Sequence, residues 1–189
     1  FARTTNELYH GNPAVATISI AGPYQKTGMS DDAPSRRKIF TCRPNSAASE
    51  EPCARKILSV LAKRAFRRSV TDKEIQTLMD FYKEGRSSGT FDAGIQRSVE
   101  RILAAPSFLF RIERAPVNAA AGSVYRLNDI DLASRLSFFI WSSIPDDELL
   151  NAAIAGKLKQ PAVLEQQVRR MLADPKSRAL VGNFIGQWL

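Results

Sequence analysis

The sequence predicts a mainly α protein, two small helical bundles in series behind a short lead of strand and loop. Three observations predict it. Apolar residues recur at helical spacing from residue 51 onward. Cap and stop residues punctuate that stretch at intervals suited to short helices. The one alternating, β-branched run stands ahead of it. With 189 residues, 44% of them apolar, the chain is long enough for one sizeable core or two small ones.

In the lead, Ala14 to Ala21 alternates and is closed by Gly22-Pro23, which reads as one strand followed by a long loop to the cysteines. A lone strand needs a partner, so its neighbour is expected in sequence upstream. The chain therefore reads as a fragment of a larger polypeptide, as do Phe1 in place of a start Met and a helical pattern still open at Trp188-Leu189.

From Glu51 the pattern becomes helical. Ile57, Leu58, Leu61, Ala65 and Phe66 mark one apolar face. Thr71-Asp-Lys-Glu74 is a capping box, and Ile75, Leu78, Met79 and Tyr82 continue at helical spacing until Gly85. A third helix is expected from about Asp92 through Ile95, Val99, Ile102 and Leu103 to Pro106; Ser107 to Ile112 is an apolar extension, strand or helical turn. Residues 114–123, with Pro116 and an Ala/Gly run, read as a linker. Beyond it Asn128-Asp129 caps a helix whose Leu132, Leu136, Phe139 and Ile140 are expected to face inward. Asp146, Asp147 and Glu148 open the next helix, where the positive end of the dipole favours acids, and Gly156 ends it. Two more helices follow, one from Pro161 to Ala173 and one from Lys176 onward. The division is thus a lead over 1–50, a first helical domain over 51–114 and a second over 124–189. Val99 to Pro106 echoes Val168 to Pro175, as two amphipathic helices stopped by proline will do.

The net charge of +8 is unevenly placed. Between Ala33 and Arg68 stand Arg36, Arg37, Lys38, Arg43, Arg55, Lys56, Lys63, Arg64, Arg67 and Arg68, against Glu50 and Glu51. A surface made of Arg36, Arg37, Lys38, Arg55, Lys63, Arg64, Arg67 and Arg68 could attract an anionic partner. The same residues also suit a solvated face or pairing with acids on domains outside this sequence. No reader motif or interleaved aromatics accompany them, so nucleic acid is not expected. No stretch approaches the roughly 18 apolar residues that span a bilayer.

The only cysteines, Cys42 and Cys53, bracket a polar loop from Arg43 to Pro52. Without a CxxC or a Cys/His cluster, the pair reads as a disulfide in preference to two free thiols, and a disulfide places the chain outside the cytosol. The single histidine, His10, sits beside Gly11-Asn-Pro13 and reads as a loop residue, not a metal or haem ligand. No CxxCH is present to attach haem c. Asp31/Asp32 and Asp146/Asp147 are carboxylate pairs of the kind that general acid/base work or Ca²⁺ can use, but a turn and a helix start explain them. A Ser/His/Asp set would depend on His10, and no phosphate-binding loop occurs. Phe108, Phe110, Phe138, Phe139, Trp141 and Trp188 form an aromatic set of the kind that holds sugars; helical spacing assigns them to core packing. No catalytic or metal residue is expected within the segment.

The run Ser35 to Pro44, then Cys53 to Arg68, resembles the helical domains of unknown function in exported planctomycete-type cytochrome c-like multidomain proteins. Ser107 to Glu113, Leu132 to Leu150, Arg170 to Pro175 and Asn183 to Leu189 resemble the signatures of two consecutive domains of that family. The resemblance implies a periplasmic or extracellular multidomain protein with haem c carried elsewhere in the chain or on a partner. It also implies that Cys42 and Cys53 match a family cysteine pair. The expectation is a non-catalytic helical module of an exported redox protein, positioning a haem domain, a cytochrome or an acidic protein partner. The alternatives are part of an extracellular polysaccharide-binding or -degrading protein, or a purely structural assembly module.

Overall fold

The computed structural model describes residues 33–110, 113, 120 and 123–187, together with 19 and 21. His10 and Asp31/Asp32 lie outside the described residues, as does the expected strand apart from Ser19 and Ala21. Every regular element among the described residues is helical. The chain runs α1 (Pro34–Ile39), α2 (Ala47–Phe66), α3 (Asp72–Ser87), α4 (Phe91–Leu103), α5 (Pro106–Leu109), α6 (Asp129–Trp141), α7 (Asp147–Ile154), α8 (Pro161–Ala173) and α9 (Arg178–Asn183), with 3₁₀ turns at Pro175–Ser177 and Ile185–Gln187.

The segment before α2 is not loop throughout. Pro34 at the first turn, where a missing N–H costs nothing, starts α1. Ile39, Phe40 and Cys42 then pack onto the first core. The stretch expected as a polar loop to Pro52 is likewise half helix. Ser46 and Ser49 begin α2 at Ala47, with the Ser46 N–H donating to Ser49 Oγ at 3.1 Å, and Pro52 lies inside the helix. A proline this near the start removes one intrahelical bond without stopping the helix.

Thr71 caps α3 with the expected box: the Glu74 N–H donates to Thr71 Oγ1 at 3.3 Å, and the Thr71 N–H to Glu74 Oε2 at 2.9 Å. Gly85 does not end this helix, which continues to Ser87. Its missing side chain instead lets α4 approach, since a Cβ there would meet Ala93 O and Arg97 Cβ at 2.7 Å. The apolar extension after Pro106 is a helical turn, α5.

Two hydrophobic clusters form among the described residues. The first gathers Ile57, Leu58 and Ala62 of α2, Leu78, Met79 and Tyr82 of α3, and Ile95 and Ile102 of α4. The second gathers Ala133, Ile140 and Trp141 of α6, Leu149 and Ala153 of α7, Leu158, and Met171 of α8. Asn128 and Asp146 cap α6 and α7 as expected, and Gly156 follows α7 at φ +67°. The inward face of α6 holds the expected Ile140, with Leu132 and Leu136 packed against the cluster, but not Phe139. Phe139 is 52% exposed, Leu132 and Leu136 are only partly buried, and the buried side is Ala133, Ser134, Ser137, Ile140 and Trp141. Phe138 to Trp141 are four consecutive apolar residues, more than one helical turn, so they cannot all face one core. Of the aromatic set assigned to the core, Trp141 is buried and Phe108 packs against the first cluster, but Phe110 and Phe138 are exposed. Trp188 lies outside the described residues.

Candidate functional site

The disulfide is formed: Cys42 and Cys53 are bonded across 11 positions, tying the segment after α1 to the second turn of α2. Beside it the guanidinium carbons of Arg36 and Arg43 lie 5.0 and 4.0 Å from the centre of the Phe40 ring. Both arginines donate to the carboxylate of Asp92 in the first turn of α4. Burial works against charge on Asp92, but the guanidiniums of Arg43 and Arg36 outweigh it and hold the carboxyl below its usual range. Disulfide, cation–ring contact and ion pair together clasp the N-terminal segment to the first bundle.

The other basic residues are distributed over several environments. Arg37 and Lys38 are exposed on α1. Arg55 donates to Gln76 at 3.2 Å, and Lys63 to Asn151 Oδ1 at 2.7 Å. Arg64 forks onto Asp147, with Nε to Oδ1 at 3.1 Å and Nη2 to Oδ2 at 2.5 Å. Arg68 forks onto Glu74 at 2.7 and 3.1 Å. That pairing, opposed by burial and aided by Thr71, pulls the Glu74 carboxyl down to about 2. Arg67 is 8% exposed and ends α2 in the left-handed region at φ 56°. Its guanidinium donates to the carbonyls of Ala65, Ser107 and Phe110 at 3.0–3.2 Å, which binds the turn after α4 onto the end of α2. This side chain is a buried brace and contributes no open charge.

The adjacent acids at the start of α7 have different partners. Asp146 caps the helix, accepting from the Leu149 N–H at 3.0 Å, and takes both forks of Arg170 on α8 at 2.6 and 3.0 Å. Its partial burial would raise the carboxyl, but Arg170 and the Leu149 N–H hold it below the usual range. Asp147 is lowered by Arg64, which is on α2 of the other bundle. Elsewhere the Tyr82 hydroxyl donates to Glu50 Oε1 at 2.6 Å, and Arg86 Nε donates to the same oxygen at 2.5 Å. Arg86 and then Tyr82 lower Glu50, while burial and then Glu50 push the Tyr82 phenol up.

Among the described residues, no group of three or more His, Cys, Asp or Glu side chains is placed to hold a metal ion. An open groove of about 520 Å³ runs along α6 between Leu132, Arg135, Leu136, Phe138 and Phe139. Arg135 at its edge grips the carboxylate of Glu113. No described helix is long and apolar enough to cross a membrane.

Asp92 and Glu113 anchor structure without having stood out in the sequence, and Asp129, expected only beside a helix cap, does so as well. Asp129 is buried and accepts the Leu158 N–H at 2.8 Å, fixing the turn between α7 and α8. The partners of Asp92 lie 49 and 56 positions away, a separation that no local spacing rule reaches.

Fold and site together define a protein of two consecutive helical bundles, disulfide-clasped at the entry to the first. Residues 53–113 match the family model PSD5, a protein of unknown function (DUF1595), and residues 127–189 match PSD4, a protein of unknown function (DUF1592). No curated protein and no solved structure matches the chain.

Proposed function

We propose that the chain is a non-catalytic helical module of an exported redox protein, which sets the position of a haem c domain carried elsewhere in the same polypeptide or on a partner. The observation that carries the reading is the Cys42–Cys53 disulfide at the entry to the first bundle, because such a bond persists in oxidising compartments outside the cytosol. The electrostatics support a scaffold. The carboxyls of Glu50, Glu74, Asp92, Asp146 and Asp147 are all lowered, and each is lowered by an arginine that braces helices or segments together. A catalytic acid or base would instead be tuned toward the working pH. The resemblance to domains found beside cytochrome c-like sequence supplies the haem, and the family matches themselves name no activity. The exposed cations Arg37, Lys38 and Arg55 supply a surface for an acidic partner domain.

The test is the absorption spectrum and intact mass of the natural full-length protein. A Soret band and a haem mass increment, with Cys42 and Cys53 blocked to alkylation until reduction, are the expected result. A colourless full-length protein with two free thiols overturns the reading and leaves a structural helical assembly module.

A further inference from the structure

Asp146 and Asp147 are neighbours that bind in opposite directions. Asp146 turns into its own bundle to Arg170, whereas Asp147 reaches out to Arg64 on α2. One turn along α7, Asn151 Oδ1 accepts from Lys63, the residue next to Arg64. Two consecutive cations at the end of α2 thus meet two acceptors on one face of α7, and these contacts cross between bundles whose hydrophobic clusters are separate.

We propose that the Arg64–Asp147 and Lys63–Asn151 contacts form a polar latch that fixes the angle between the two bundles and opens reversibly as ionic strength rises. Three features carry this. The guanidinium–carboxylate fork sets direction as well as distance, so the closed state has one defined orientation. Both side chains of the ion pair are about half exposed, at 42% and 53%, so water and salt compete with it directly. The chain between α5 and α6, residues 110–128, joins the bundles covalently, and Arg135 of α6 grips Glu113 in that connection, so re-closing is intramolecular and remains available after opening. A polar junction between separately cored units is the arrangement that permits relative motion. The latch does not depend on the haem reading, since it concerns only the two bundles of this chain.

The experiment places spin labels at Lys56→Cys on α2 and Arg169→Cys on α8, both exposed, and measures the distance distribution by pulsed electron resonance. One narrow distance is expected at low salt, broadening as salt is added. Asp147→Asn should be broad already at low salt. Exchanging the charges, Arg64→Asp with Asp147→Arg, should restore the narrow distribution. Asp72→Asn, which removes a first-turn acid from α3, should leave it narrow. Far-ultraviolet ellipticity and Trp141 fluorescence verify that each variant is folded, and the salt titration of the labelled parent stands whether or not the variants fold. A distribution in Asp147→Asn as narrow as the parent's, or a parent distribution indifferent to salt, overturns the latch.

Discussion

Gly94 stands where α4 crosses the ring of Tyr82, and a Cβ there would come within 2.7 Å of two ring carbons. The ring has little room to retreat, because Tyr82 is 1% exposed and its hydroxyl is fastened to Glu50. Alanine is the better helix former by roughly 0.8–1 kcal/mol, but overpacking a filled core costs about 1–3 kcal/mol. Gly94→Ala should therefore lower the urea midpoint; a variant as stable as the parent would mean that α4 shifts away freely. A charged residue allows a prediction with a definite sign. Glu74 titrates at about 2 in the folded chain against 4.5 for the free side chain. Its stabilising contribution is thus fully present above pH 4.5 and is lost as pH falls toward 2. In paired urea titrations, Glu74→Gln should be the less stable protein at neutral pH and should converge on the parent near pH 2. A gap that stays constant over that range would mean that the charge of Glu74 is not what stabilises.

Among the helices, those with local signals at both ends were legible in the sequence. The box of Thr71 and Glu74, the caps Asn128 and Asp146, Gly156 after α7 and Pro161 opening α8 each act within a few residues, so spacing rules find them. The early start of α2 was missed because Pro52 looks like a boundary, yet it stands sixth in the helix, which runs through it at the loss of one intrahelical bond. Gly85 looks like a stop because glycine usually is one; here it serves a close approach of α4 that appears only when the chain is folded. Of the site, the cysteine pair was legible and the buried role of Arg67 was not, since its carbonyl partners at Ser107 and Phe110 lie some 40 positions ahead. The disulfide's effect belongs to this scale. It closes a loop with a separation of 11, worth about 3 kcal/mol in the chain-entropy model. Reduction should accelerate amide exchange in α1 and the first turns of α2 and lower the urea midpoint of the first bundle. The paired helices α3 and α4 should remain protected longest. Uniform exchange behaviour with and without reductant would mean that the Arg36, Arg43 and Asp92 clasp suffices alone.

For the whole molecule, the arrangement of two cores with a polar junction sets how cooperatively it unfolds. Apolar contacts shared between units make unfolding all-or-none, and units that share only exposed polar pairs unfold on their own. The chain contains its own reporter, because its two tryptophans, Trp141 and Trp188, both fall in the second half of the sequence and Trp141 is buried in the second core. The fluorescence of Trp141 therefore follows the second bundle, whereas helical ellipticity follows both. Leu58 is fully buried in the first core, and Leu58→Ala should cost that bundle roughly 2–5 kcal/mol. In urea the variant should lose part of its ellipticity early, with the fluorescence midpoint unmoved. If the fluorescence midpoint falls with the ellipticity, the bundles are energetically coupled through their junction, and the chain acts as one rigid body instead of two linked ones.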